Sequence, residues 1–173
     1  DVDFFKSIMN EISSNILFDL DKVYGIGISN GSGMVNKLGK ETYIFDGIAP
    51  LVSQQTVEIG NVIPEGFLSV FQVNGDSDSL VPVNGGIGVA NTNFMSASAS
   101  AENWALNFGC LMTPEQEILE WGDKTVDAFS FSGCIQNNEV RYFIVQDSGH
   151  TIQFGGQTNL FNQIWDFFKS IEN

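Results

Sequence analysis

The chain has 173 residues, 43% hydrophobic and 12% aromatic, enough for one domain with a real core and too few for two. Seven Lys and Arg stand against 21 Asp and Glu, a net charge of −14. Phosphate backbones and anionic lipids require clustered cations, so nucleic acid and membrane are excluded as partners. The acids are scattered among apolar segments and read as a solvated surface, not as a disordered tail. No stretch reaches the roughly 18 to 20 apolar residues that span a bilayer, and no basic segment precedes an apolar run as in a leader. The chain opens on Asp1 and not Met, which is compatible with removal of a leader or upstream segment. Cys110 and Cys134 fit a disulfide or two separate buried thiols equally well.

Val2, Phe5, Ile8, Met9 and Ile12 recur at helical spacing, with acids in the first turn, and predict an opening amphipathic helix. Val23 to Ile28 reads as a buried strand. It runs into Ser29-Asn30-Gly31-Ser32-Gly33-Met34, whose small residues permit a tight turn before a second helix. Tyr43 to Val52 and Phe67 to Val73 are further strands, followed by loop chemistry such as Asn74-Gly75-Asp76 and Asn84-Gly85-Gly86. Ala99 to Phe108 predicts a helix carrying Trp104, and Val126 to Phe131 and Val140 to Val145 predict strands. Leu160, Phe161, Ile164, Phe168 and Ile171 mark a closing amphipathic helix. This alternation predicts an α/β fold with a mostly parallel sheet and flanking helices, in which function sits in loops after strand carboxyl ends.

Gly27-Ile28-Ser29-Asn30-Gly31 fits G-x-S-x-G, in which glycines clear space for a serine on a strained strand-to-helix turn; a plain Gly-rich turn is the bland alternative. A serine hydroxyl needs a base, and histidine is the usual one. The sole histidine, His150, follows the strand Val140 to Val145. The third member would be a carboxylate that orients the imidazole, and both Asp76 and Asp78 follow a strand, where either could equally cap a turn. Placement alone leaves both open. The order Ser29, Asp78, His150 is that of the α/β-hydrolases.

Together these blocks resemble the α/β-hydrolase esterases that include poly(3-hydroxybutyrate) depolymerase-like enzymes and bacterial feruloyl esterases. Asp21-Lys22-Val23-Tyr24 leading to the Ser29 motif resembles the family's strand and elbow. Asn74-Gly75-Asp76-Ser77-Asp78 with Val81-Pro82 and Gly85-Gly86 resembles its acid loop, and Gly149-His150-Thr151 its histidine loop. In that acid-loop pattern the catalytic aspartate stands two residues before Leu-Val-Pro, which selects Asp78. Trp104 with Gly109-Cys110, and Ser132-Gly133-Cys134, resemble a bridged cysteine pair. The resemblance thus implies a Cys110–Cys134 disulfide and a secreted or extracytoplasmic enzyme.

The chain departs from the family at Asn74, where histidine is usual, and at Ile152-Gln153, where an aromatic-proline pair is usual. It also lacks the N-terminal strands and the His-Gly loop, so it resembles the C-terminal two-thirds of the fold. The oxyanion hole would then rest on the backbone N–H of Asn30, with the second donor's loop missing. An exposed sheet edge would need a homodimer partner or the missing N-terminal segment to cover it.

The resulting expectation is a single α/β-hydrolase domain over residues 1–173 acting as a serine esterase on aromatic or short hydroxyacyl esters. Ser29 is the nucleophile, His150 the base and Asp78 its orienting acid, with no metal or organic cofactor. A serine peptidase of the same fold, a non-catalytic remnant or binding module, and glycoside hydrolysis by paired carboxylates are the competing readings. One arginine, four prolines and eighteen glycines point to a flexible, cold-adapted protein. A melting midpoint above about 65 °C would contradict that reading.

Overall fold

A computed structural model describes residues 1–15, 22–154 and 160–171. The elements are α1 (Val2–Asn15), β1 (Tyr24–Ile28), α2 (Asn30–Glu41), β2 (Gly47–Leu51), α3 (Val57–Gly60), β3 (Ser69–Gly75), β4 (Gly86–Ile87) and β5 (Asn93–Phe94). They continue with α4 (Ala97–Asn107), β6 (Glu115–Trp121), β7 (Lys124–Phe131), β8 (Val140–Val145) and α5 (Leu160–Ser170). Asp21, part of the first resemblance block, lies outside the described residues.

The main sheet has the order β1-β2-β3-β8-β7-β6. Its first four strands pair parallel, and the hairpin β6–β7 adds two antiparallel pairings. The fold is therefore mixed α/β with a mostly parallel six-stranded sheet, and β4–β5 form a small separate ribbon. β2 and β3 are buried along their whole length, as expected of parallel strands covered on both faces.

The two faces carry separate cores. Leu51, Phe71, Val73, Phe143 and Val145 pack with Ile164, Phe167 and Phe168 of α5. On the opposite face Ile48, Val70, Val140 and Tyr142 pack with Val35 of α2 and with Trp104, Ala105 and Phe108 at α4. Period-two alternation along each strand divides these sets. Cys110 and Cys134 are joined in a disulfide. It ties the end of α4 to the turn after β7, beside the backbone bonds Leu111 N–H to Ser132 O (2.9 Å) and Ile135 N–H to Phe108 O (2.9 Å).

Three expectations change. Tyr24–Ile28 is an outer strand and only alternately buried: Gly25 and Gly27 lie on a covered face, while Ile26, 45% exposed, and Ile28, 43% exposed, project from the other. The strand read from Tyr43 begins at Gly47, leaving Tyr43 exposed in the preceding loop. β6 was not anticipated. Its residues Glu115, Gln116, Glu117 and Glu120 are exposed, which is how a charged edge strand reads, and the two-residue turn Gly122-Asp123 closes it onto β7.

Candidate active site

The carboxyl ends of β1, β3 and β8 carry the loops that converge here. Ser29 sits between β1 and α2 at φ 56°, ψ −116°, a left-handed backbone for a residue with a side chain, costing about 1–3 kcal/mol. Asp147, in the loop after β8, has φ 50°, and the β-branched Val52, just past β2, has φ 51°. Left-handed backbone thus occurs after β1, β2 and β8, and also away from these loops at Ala90, Asn91, Gln136 and Asn137.

The elbow is held by the chain around it. Ser29 N–H donates to Leu51 O (2.9 Å). The fully buried Ser32 hydroxyl accepts from Leu51 N–H (2.9 Å) and lies within donating distance of Leu51 O (2.6 Å) and Gly27 O (2.8 Å). Gly27 is obligatory, since a Cβ there would lie 2.2 Å from Gly31 O and 2.7 Å from Ser32 N. Gly31 is not: a Cβ at that position meets nothing within 4 Å. Only the first glycine of the motif clears space for the turn.

Asp78 is buried in the loop after β3, its side chain 1% exposed. One carboxylate oxygen accepts the backbone N–H groups of Leu80 (2.8 Å) and Val81 (3.0 Å), and the other lies 2.7 Å from His150 Nδ1. His150 Nε2 lies 2.7 Å from Ser29 Oγ. An ionised carboxylate only accepts, so the proton belongs on Nδ1, and Nε2 is left to accept from the Ser29 hydroxyl. Asp76 faces elsewhere, accepting from Ser77 Oγ (2.9 Å) and from the Ser148 N–H (3.3 Å) of the histidine loop.

Among the supporting residues, Asn74 and Gly75 belong to the acid-loop block, whereas Gln54, Gln72 and Ser100 carried no signal in the sequence. Gly75 lets the acid and histidine loops touch: a Cβ there would lie 2.2 Å from Ser148 O. Ser77 N–H in turn donates to Ser148 O (3.0 Å). Behind the acid loop runs a buried amide network. Asn74 Nδ2 donates to Gln54 Oε1 (2.8 Å), Gln54 Nε2 to Pro82 O (2.9 Å) and Met95 O (2.8 Å), and Gln72 Nε2 to Asn74 Oδ1 (3.0 Å). Ser100 Oγ donates to Gln72 Oε1 (2.8 Å). Asn74 is therefore a scaffold residue under the loop, 2% exposed. Asn30, the first residue of α2, is exposed, and its N–H is among the first four of the helix, which have no intrahelical acceptor.

No family model matches the chain. It is 35% identical over 86 residues to NocK of Nocardia uniformis subsp. tsuyamanensis, a protein named as an esterase; that match covers 49% of this chain and 25% of NocK. It is 28% identical over 124 residues to feruloyl esterase B of Piromyces equi, covering 67% of this chain and 23% of that protein. The chain is similar to esterases. It spans about a quarter of the length of these curated relatives.

Proposed function

We propose that the protein is a serine esterase of the α/β-hydrolase fold, residues 1–173 belonging to one catalytic domain, and that Ser29, His150 and Asp78 are its triad. The observation that carries this reading is a single imidazole 2.7 Å from a serine hydroxyl on one side and 2.7 Å from a buried carboxylate on the other. Ser29 Oγ attacks the ester carbonyl carbon as its proton passes to His150 Nε2, and Asp78 stabilises the imidazolium without taking the proton. The oxyanion of the tetrahedral intermediate faces the Asn30 N–H, a type of contact worth 10²–10³ in rate.

Collapse expels the alcohol, which leaves with the proton held on His150. Water then attacks the acyl-enzyme with His150 as base, releasing the acid and restoring Ser29. The substrates are poly(3-hydroxybutyrate)-type polyesters and oligomers or feruloyl-type esters, in keeping with the family resemblance of the three loop motifs. An extracytoplasmic location is supported by the Cys110–Cys134 disulfide.

Labelling of the purified chain by a fluorophosphonate, read by intact mass beside a p-nitrophenyl acetate assay, tests the reading. One adduct on Ser29 and turnover are expected, with both lost in Ser29→Ala. A folded chain that neither labels nor turns over ester would mean that an upstream segment is essential for activity or that the chain is a remnant or binding module.

A further inference from the structure

The first turns of α2 contain two glycines that the backbone does not require. At Gly31 and Gly33 a Cβ would meet nothing within 4 Å, and neither residue has a left-handed φ. In a helix, glycine is the least favourable residue after proline, so bare backbone here works against the helix and leaves space open. The space beside Gly33 is a cleft of about 390 Å³ between α2 and the segment around α3, within the roughly 300–1,000 Å³ of small-molecule sites. It reaches Asn30, the residue directly after Ser29.

The walls of the cleft are pinned in place. Thr56 caps α3 by accepting the Ile59 N–H, and Gly60 packs so tightly on Met95 that a Cβ there would lie 2.3 Å from its sulfur. Asn103 Nδ2 of α4 donates to Gly60 O (3.1 Å). The half-buried Met34, Ile59 and Val62 supply apolar lining. The charged side chains of the lining include Lys37 against the carboxylates of Glu41 and Glu58, and Lys37 is already paired with Glu41. An anionic occupant would face this acid excess in a chain of net charge −14.

We propose that this cleft binds the part of the ester remote from the scissile carbonyl, and that this part is neutral and largely apolar, an alkyl chain of several carbons or an aromatic ring. The assignment rests on the esterase reading. It makes Gly33 and Met34 determinants of chain-length preference: a side chain at position 33 projects into the cleft, and a larger one at position 34 narrows it.

The test compares wild type, Gly33→Leu and Met34→Trp on p-nitrophenyl esters from acetate to octanoate, and on acetate esters of ethanol through octanol. In wild type, kcat/KM is expected to rise with chain length in one series, which identifies the acyl or alcohol side as the occupant. In both variants the octyl-to-acetyl or octyl-to-ethyl ratio in that series is expected to fall at least about tenfold, the scale of a lost apolar contact. Because leucine is a better helix former than glycine and meets open space, Gly33→Leu should melt no lower than wild type. Ratios within twofold of wild type in both variants, with acetate turnover and Ser29 labelling intact, would overturn the cleft assignment alone. A wild-type chain that neither labels nor turns over any ester would overturn the esterase reading and the cleft with it.

Discussion

Ser29 is held at φ 56° by bonds made around it, and the two glycines of its motif do unequal work. Gly27→Ala drives a methyl group into the Gly31 carbonyl and is expected to destabilise by about 3 kcal/mol or more, whereas Gly31→Ala should be neutral or stabilising by up to about 1 kcal/mol. Urea unfolding of the two variants checks the pair. The two aspartates likewise part company once their partners are known. Asp78→Asn removes the carboxylate that fixes the imidazole tautomer, and kcat on p-nitrophenyl acetate should drop by about 10⁴, the scale known for that change in serine proteases. Asp76→Ala removes an acceptor of the Ser148 N–H and should cost about 1 kcal/mol in unfolding with a far smaller effect on kcat.

Between α2 and α4 lies a group that the proposed mechanism does not use. Lys40 is fully buried, its Nζ 2.7 Å from Asn103 Oδ1 and 4.3 Å from the centre of the Trp104 ring. Burial lowers its pKa from 10.5 to about 8. The folded state therefore releases this proton before the unfolded state does, and between pH 8 and 10.5 the unfolded chain binds more protons, so this group makes stability rise with pH. Below pH 8 it imposes a penalty. Lys40→Met should be more stable than wild type at pH 7 by up to about 3 kcal/mol. That difference should shrink as pH climbs through the window, in denaturant unfolding at matched ionic strength. At the element scale, β6 also shows what periodicity can miss: its run of acids reads as loop until the Gly122-Asp123 turn folds it onto β7.

Across the whole molecule, three loops from β1, β3 and β8 meet because parallel strands place their carboxyl ends on one edge of the sheet. The disulfide stands apart from that edge, clamping α4 to the β6–β7 hairpin. Cys110→Ser with Cys134→Ser should therefore lower stability by about 3 kcal/mol. For a chain of this size that is a fall in melting midpoint of roughly 6–12 °C, measured by calorimetry with and without reductant. Reduction should leave the double variant's midpoint unmoved.

Local pattern was enough to mark β8 at Val140–Val145, the amphipathic α1 and α5, and the strand-turn-helix around Ser29, since side-chain periodicity and turn chemistry act within a few residues. The alternation of elements likewise determined an α/β layering with a mostly parallel sheet. What depended on distant partners was decided only by tertiary structure. Whether β1 is buried depends on what packs on each face of the sheet, and its apolar residues read the same whether that face is covered or open. That Gly27 and not Gly31 is sterically required follows from where the first turn of α2 returns over the strand. Placement left Asp76 and Asp78 open and the acid-loop resemblance selected Asp78; in the structure the Leu80 and Val81 amides hold that carboxylate beside His150, while Ser77 and Ser148 engage Asp76. The buried Gln54 and Gln72 read as ordinary polar residues until the fold removes water from them, and Asn74, marked in the sequence as a departure from the family, proves to be the residue that links their side chains.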